Sequence, residues 1–181
     1  MKIIAGRLRG RKLKAPKGLA TRPVLARVRE ALFNVLGNIE GARVLDLYAG
    51  TGAVGIEALS RGAQSLVAVD RGYRQCRVIR ENLSRIGIDA VVIRSSVTTA
   101  LEKLCDDGSV FDFIFADPPY ERGMAQKTVV SVFNKGLLSD SGVMALTVHR
   151  SEGLPSEEDK YEMIFDRSYG ETRLVIYKIK Q

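Results

Sequence analysis

The stretch RVLDLYAGTGAVGIEALSRG, residues 43–62, decides the fold of this chain. It begins as a short apolar run typical of a buried strand and ends as a helix from Ala53 to about Arg61. Between the two, Gly50, Gly52 and Gly55 fit the Gly-x-Gly-x-x-Gly pattern, in which a backbone turn approaches a bound molecule closely. The stretch therefore predicts a strand, a ligand-binding turn and a helix that together open an α/β sheet.

The residues that follow repeat this alternation of strand and helix. Four further apolar runs are separated by segments with helical spacing, a pattern that predicts parallel strands with helices on both faces of the sheet. The last apolar segment, residues 161–180, has only SYGE between its halves and so predicts an antiparallel hairpin. We expect an α/β, Rossmann-like fold with a mostly parallel seven-stranded sheet. The four runs are SLVAVD, AVVIRS, FDFIFADPPY and GVMALTVH.

The bulk composition is that of one domain with a full core, since 45% of the 181 residues are hydrophobic. No apolar run approaches the roughly 20 residues that span a bilayer, and residues 1–14 lack the apolar region of a signal peptide. We therefore expect a cytoplasmic protein. Cys76 and Cys105 have no metal-like spacing, so we expect reduced thiols and no bound metal.

The positive charge is concentrated in one part of the chain. The formal net charge is +7, and residues 1–30 alone contain ten Lys or Arg and one acidic residue. This segment is either a solvated basic tail or an arm that neutralises nucleic-acid phosphates. We expect residues 1–40 to form a basic extension, with a helix from about Pro23, packed on a core domain of residues 41–181.

The end of the first strand distinguishes between cofactors. Asp46 would repel the pyrophosphate of a nicotinamide dinucleotide, whereas it would attract the ammonium and sulfonium groups of S-adenosylmethionine. Asp70, at the end of the second strand, is placed to bind ribose hydroxyls. Each carboxylate also has a plainer alternative, the capping of backbone N–H groups or of a helix. The residues expected to bind S-adenosylmethionine are Asp46, Tyr48, Ala49, Gly50, Gly52, Gly55, Asp70, Arg71 and Ser96.

The fourth run ends in Asp117, Pro118, Pro119 and Tyr120, and the prolines stop it because they have no N–H for a sheet ladder. Its end is expected beside that of the first strand, next to the methyl group of the cofactor. There Asp117 and the Pro118 carbonyl can accept hydrogen bonds from an exocyclic amine, and Tyr120 can stack on its base. We expect these four residues to be catalytic in direct methyl transfer, unless the tetrapeptide is only a turn.

The tetrapeptide matches the signature of amino-group methyltransferases that act on nucleic-acid bases or on protein glutamine. With IIAGRLRGRKLKAP, RPVLARVREALFNVL and VLDLYAGTGAVGIEALSRGA, it resembles the RsmD-like 16S ribosomal RNA guanine-N2 methyltransferases that modify guanine 966. The resemblance covers nearly the whole chain. It implies a Rossmann-like methyltransferase fold with an N-terminal β-hairpin, S-adenosylmethionine as cofactor, and a ribosomal RNA guanine extruded into the pocket.

This resemblance implies a partner and leaves alternatives. The partner is 16S ribosomal RNA or a small-subunit assembly intermediate, bound by a monomer. Val24 and Ala26 replace residues that are usually polar in the family, and His149, which replaces a frequent Glu, is interpreted as structural. The alternatives are a DNA adenine-N6 or cytosine-N4 methyltransferase, which usually has a further recognition domain, and a non-catalytic RNA-binding module. The residues expected to face RNA phosphates are Arg7, Arg9, Arg11, Lys12, Arg22, Arg27 and Arg29.

Overall fold

The structure, a computed structural model, describes residues 1–15, 23–119, 123–154 and 158–180, with the backbone alone for residues 23–25. The helices are α1 (Pro23–Leu36), α2 (Ala53–Ser60), α3 (Tyr73–Ile86), α4 (Val97–Asp106) and α5 (Met124–Asn134). The strands are β1 (Arg43–Leu47), β2 (Ser65–Asp70), β3 (Val91–Arg94), β4 (Phe111–Ala116), β5 (Leu138–His149), β6 (Tyr161–Tyr169) and β7 (Thr172–Ile179).

All seven strands form one sheet, in the order β3-β2-β1-β4-β5-β7-β6. The pairs from β3 to β5 are parallel, whereas β7 runs antiparallel to both β5 and β6. The predicted fold class and C-terminal hairpin are confirmed. Because the chain runs from β1 outward to β3 and then returns to β4, the strand order reverses between β1 and β4, where open α/β sheets bind ligands.

The sheet separates two apolar cores. Val44 and Phe113 point to the face covered by α1, α2 and α3, and their neighbours Leu45 and Ile114 point to the face covered by α4 and α5. All four side chains are almost completely buried, as expected for a parallel sheet with helices on both faces. The central strands β1 and β4 are therefore held rigidly from both sides.

The N-terminal arm, residues 1–15, packs against α2. Glu57 of α2 is fully buried, and its two carboxylate oxygens accept the backbone N–H groups of Ile4 and Ala5 at 2.8 and 2.9 Å. The arm also contributes Ile3 to the core on this face of the sheet. A buried carboxylate that accepts two backbone N–H groups specifies one docking position.

Two further contacts hold the arm in place. A Cβ on Gly6 would lie 1.9 Å from the Ser60 carbonyl oxygen, so no other residue fits the arm at this point. The side-chain amide of Asn82 donates to the carbonyls of Lys14 and Thr51, each at 3.1 Å. Asn82 thereby joins the arm to the glycine-rich turn after β1.

The two halves of the arm pair antiparallel, as the predicted N-terminal β-hairpin requires. Lys2 and Lys12 form a bridge pair, and the N–H groups of Ile3 and Leu13 donate to the carbonyls of Arg11 and Met1 at 3.0 and 2.9 Å. None of the helices within the described ranges is long and apolar enough to cross a membrane. Nor do the same ranges contain three or more His, Cys, Asp or Glu residues grouped so as to hold a metal ion.

Candidate active site

The pairing of β1 with β4 brings two carboxyl groups to one cavity. Asp46 is opposite Phe115 in the ladder, and the N–H of Asp117 points to the carbonyl of Leu47 at 3.4 Å. A cavity of about 180 Å³ lies at this edge of the sheet. The sequence-predicted residues that line it are Asp46, Tyr48, Ala49, Gly50 and Asp117, and α1 and the arm contribute Val28, Arg29, Leu32 and Met1.

Asp46 is 1% exposed, and burial raises its pKa to about 8. Its Oδ2 accepts the Gly55 N–H at 3.0 Å, so the capping alternative holds for this oxygen while the residue also borders the cavity. At neutral pH the isolated carboxyl group mostly keeps its proton, whereas a cation in the cavity favours the carboxylate. Asp46 therefore fits a positively charged ligand and disfavours a phosphate.

Gly55 permits the close approach of α2 to β1. A Cβ at this position would lie 2.5 Å from Leu66 Cδ1 and 3.1 Å from Asp46 Oδ2. Any side chain would displace either the β2 core or the Asp46 carboxyl group. The third glycine of the motif thus positions the acidic group rather than touching the cavity.

Asp70 fastens the glycine-rich turn to β2. Its Oδ2 accepts the Gly50 N–H at 2.9 Å and its Oδ1 accepts the Gly72 N–H at 2.8 Å. Both oxygens therefore have backbone donors, and binding of ribose hydroxyls by Asp70 stays a prediction. Arg71 and Ser96 are exposed, and the Ser96 hydroxyl caps α4 by accepting the Thr99 N–H at 3.2 Å. Neither residue lines the cavity described above.

Tyr48 connects the turn to α5. It has a φ of 57°, the sole positive φ of a non-glycine residue in the described ranges. Its hydroxyl bonds to Thr128 Oγ1 at 2.9 Å, and Thr128 in turn donates to the Met124 carbonyl at 2.9 Å. The single hydroxyl proton of Thr128 is thus used, so Tyr48 is the donor to it. The turn after β1 and the first turn of α5 are held together by this chain of bonds.

Asp117 follows the last residue of β4 and receives a short hydrogen bond. Thr147 Oγ1 donates to its Oδ1 at 2.6 Å. Although Asp117 as a whole residue is exposed, protein surrounds its carboxyl group closely enough that desolvation raises its pKa, and the bond from Thr147 partly offsets this rise. Pro118 is buried and Pro119 is exposed, while Tyr120 lies outside the described residues. The site thus presents a carboxyl group that can accept hydrogen bonds from an amine.

Arg29 is the residue whose predicted role is wrong. It is 6% exposed, its Nη2 donates to the Lys2 carbonyl at 2.8 Å, and its Nε lies 3.8 Å from Glu57 Oε2. Burial lowers the pKa of this guanidinium. Arg29 lies on the inner face of α1, where it holds the arm and cannot face the phosphates of a bound RNA.

The other residues predicted to face RNA phosphates are exposed wherever the structure describes them. Arg7, Arg9, Arg11, Lys12 and Arg27 are exposed, and Arg22 lies in the range that the structure does not describe. Ala26 is exposed on α1, and the side chain of Val24 lies outside the described part. His149 bonds to Glu171 at 3.1 Å and to Ser151 at 2.7 Å, in agreement with a structural role.

Three residues carry little local signal in the sequence for the role that the structure gives them: Glu57 and Asn82, which anchor the arm, and Thr147, which borders the cavity. Glu57 has Arg61 four residues later, a spacing that usually indicates an exposed ion pair on a helix. Threonine, as at position 147, is common on strands. Asparagine, as at position 82, is common on exposed helix faces, although Asn82 itself is buried. The one available sign for Glu57 is its position in the otherwise apolar segment AVGIEALS, which indicates burial of the whole helix.

The strand order, the glycine-rich turn and the acidic residue on β1 define the fold of class I S-adenosylmethionine-dependent methyltransferases. The structure of yhhF from Escherichia coli matches with a TM-score of 0.87 and 30% identity, over 99% of this chain and 98% of that one. The Thermus thermophilus 16S rRNA N2 G1207 methyltransferase, solved with AdoMet and guanosine, matches with a TM-score of 0.71 over 96% of this chain and 46% of that one. At 23% identity it shows the shared fold alone.

The sequence comparisons identify the family. The family model described as conserved hypothetical protein 95 matches residues 1–178. YlbH of Bacillus subtilis is 34% identical over 98% of both chains. Ribosomal RNA small subunit methyltransferase D of Escherichia coli is 33% identical over 98% of this chain and 89% of its own length. The chain therefore belongs to this RsmD-like family, as its resemblance in sequence predicted.

Proposed function

We propose that this protein transfers the methyl group of S-adenosylmethionine to the exocyclic N2 of a guanine in 16S ribosomal RNA, with guanine 966 as the expected nucleotide. The observation that carries the proposal is the placement of Asp46 and Asp117 at one cavity, where β1 and β4 end side by side. A buried carboxyl group suits a cationic methyl donor, and a second carboxyl group beside it suits an amine. The names of the relatives support an rRNA substrate.

The residues present fit the cofactor. S-adenosylmethionine, when bound, would supply an electrophilic methyl group for direct transfer; the N2–carbon bond would form as the sulfur–carbon bond breaks, leaving S-adenosylhomocysteine, and the methylated N2 would release one proton to water. We assign the cationic part of the cofactor to Asp46 and the turn from Gly50 to Gly55. The buried Asp46 carboxyl group accepts the Gly55 N–H, and no guanidinium or ammonium group of the described residues donates to it. Asp70, Arg71 and Ser96 are proposed to bind its ribose and adenine.

The role of the Asp117 loop follows from the chemistry of the amine. The lone pair of guanine N2 is delocalised into the ring, so the nitrogen is a poor nucleophile. Asp117 and the Pro118 carbonyl would accept its N–H groups and favour a geometry in which the lone pair points at the methyl group. The two prolines fix the direction of that carbonyl. Tyr120 is proposed to stack on the base, which contributes about 1–3 kcal/mol in comparable sites.

The direct test is to delete the gene and map N2-methylguanine along the 16S ribosomal RNA. Loss of the mark at guanine 966, restored by the purified protein with S-adenosylmethionine, is the expected result. RNA that keeps all its N2-methylguanines would refute the reaction, and loss at another guanine would refute the position alone. Supplying either naked RNA or assembled small subunits in the restoration shows which of them is the substrate.

The RNA partner is tested on the arm, where basic side chains are exposed. The double variant Arg7→Glu/Arg9→Glu is expected to weaken RNA binding by roughly tenfold or more and to reduce the slope of log affinity against log salt by about two. Affinity for S-adenosylmethionine should be kept. The control is Lys103→Glu, which lies on α4 across the sheet. If both variants lost RNA affinity equally, the arm would not be the place where RNA binds.

A further inference from the structure

Thr147 lies beside the carboxyl group of Asp117. It lies on β5, is 3% exposed, and borders the cavity. In the β4–β5 ladder Ala116 is opposite Leu146, so Asp117 and Thr147 are the next residues on the two strands. The 2.6 Å bond between them is therefore set by the sheet register.

The two partners differ in how their backbones are held. Thr147 lies within β5 and is opposite Leu174 in the antiparallel ladder with β7. Asp117 lies beyond the last residue of β4, and the two prolines after it have no N–H to extend a ladder. The Asp117 N–H has the longer bond, to the Leu47 carbonyl at 3.4 Å, and the 2.6 Å bond from Thr147 is the one that orients its carboxyl group.

We propose that Thr147 is a positioning residue for the methyl transfer, whose hydroxyl holds Oδ1 of Asp117 and leaves Oδ2 to accept an N–H of the target amine. The inference rests on the proposed function. It assigns a role to a residue on a strand that carries none of the cofactor or tetrapeptide motifs. Asp117 remains the group that touches the substrate.

The same hydroxyl controls the charge of the acid. With Oδ1 accepting from Thr147 and Oδ2 accepting from the amine, neither oxygen carries a proton, so Asp117 acts as a carboxylate, and a donor to the charged form favours ionisation. Burial opposes ionisation of Asp117, and Asp46 on β1 borders the same cavity. Tyr48 from the turn and Arg29 from α1 border the same cavity. Removal of the hydroxyl therefore leaves Asp117 protonated up to a higher pH, at which it would donate rather than accept.

The test is Thr147→Val, which removes the hydroxyl at nearly constant volume. We expect kcat to fall by about tenfold or more near neutral pH, and the acidic limb of the kcat profile to move to higher pH. Dissociation constants for S-adenosylmethionine and RNA should stay within about twofold of the wild type. Thr147→Ser keeps a hydroxyl and should restore both the rate and the position of the limb.

The outcomes separate this inference from the proposed function. A Thr147→Val enzyme with the wild-type rate and pH profile overturns the positioning role, as does a lower rate with an unmoved limb that serine fails to restore. Thr147→Ala must move the limb in the same direction, so the test does not depend on valine packing. If Asp117→Ala itself kept full activity, the proposed function of the site would fail, whereas an inactive Asp117→Ala beside a normal Thr147→Val refutes this inference alone.

Discussion

The two ends of the β1–β4 pair are built in opposite ways. At the amino ends, Arg43 Nε and Nη2 bind the two oxygens of Asp112 at 2.9 and 3.0 Å, and this pair lowers the pKa of Asp112. At the carboxyl ends, Asp46 and Asp117 are two acids at one cavity, and burial raises the pKa of both. One pair of strands thus carries a neutralised end and an end where negative charge is unfavourable.

The difference shows which end serves binding. A paired surface carboxylate contributes modestly to stability and is already satisfied. Two acids whose pKa values are raised by burial gain from a cation or from a further hydrogen-bond donor, which a ligand can bring. The carboxyl end is therefore less stable without its ligands, and substitutions at the two ends should separate activity from stability.

The largest effect is expected for Asp117→Ala. The variant should lose methyl transfer by on the order of 10²–10⁴-fold, because one acceptor for the amine is removed. Binding of S-adenosylmethionine, measured by calorimetry, should change by less than about threefold since Asp46 is intact. If this variant turned over normally, the carboxyl ends of β1 and β4 would not be the catalytic end of the strand pair.

The second effect concerns Asp46→Asn and the affinity for S-adenosylmethionine. Because the pKa of Asp46 is about 8 and a bound cation favours the carboxylate, wild-type affinity should rise with pH up to about 8. The variant should bind about tenfold more weakly at pH 8. The ammonium group of the cofactor titrates as well, so the quantity to compare is the difference between the two pH curves. Parallel curves would contradict a charge on Asp46 in the complex.

The smallest effect is on stability, and its sign differs between the two ends. The raised pKa of Asp46 means that stability falls as pH rises from about 4 to about 8, so Asp46→Asn should melt above the wild type at pH 8. Because the pKa of Asp112 is lowered in the folded protein, its carboxylate stabilises the fold at pH values above the ordinary pKa of about 4. This stabilisation is lost as the pH falls below that value. Asp112→Asn should therefore melt slightly below the wild type at pH 7, with activity unchanged. Thermal melts of the wild type and both variants from about pH 2 to about pH 9 check the signs, and equal shifts for the two variants would contradict the contrast.

Much of the fold was predictable because it depends on local patterns. The alternation of apolar runs and helical segments predicted the parallel sheet, and the short SYGE connection predicted the hairpin of β6 and β7. The position of the cavity followed from Asp46 and Asp117, since the carboxyl ends of β1 and β4 were expected to be adjacent. These predictions need only the periodicity of each segment and the general topology of such sheets.

The misplaced and missed residues depend on tertiary contacts. Charge density predicted Arg29 at the surface, but α1 turns this side chain toward Glu57 and the arm. Thr147 acquires its partner only through the register between β4 and β5. A single sequence shows neither the rotation of a helix nor the register of two strands 30 residues apart.

The arm also bears on the order of folding. Its anchors are distant in sequence, since Ile4 binds Glu57 across 53 residues and Lys14 binds Asn82 across 68. Contacts of such separation form late, because loop closure must precede them. During synthesis the basic segment therefore precedes its anchors on α2 and α3, and it cannot dock completely until α3 has left the ribosome. For that interval its cationic side chains face the ribosomal surroundings without the sheet behind them.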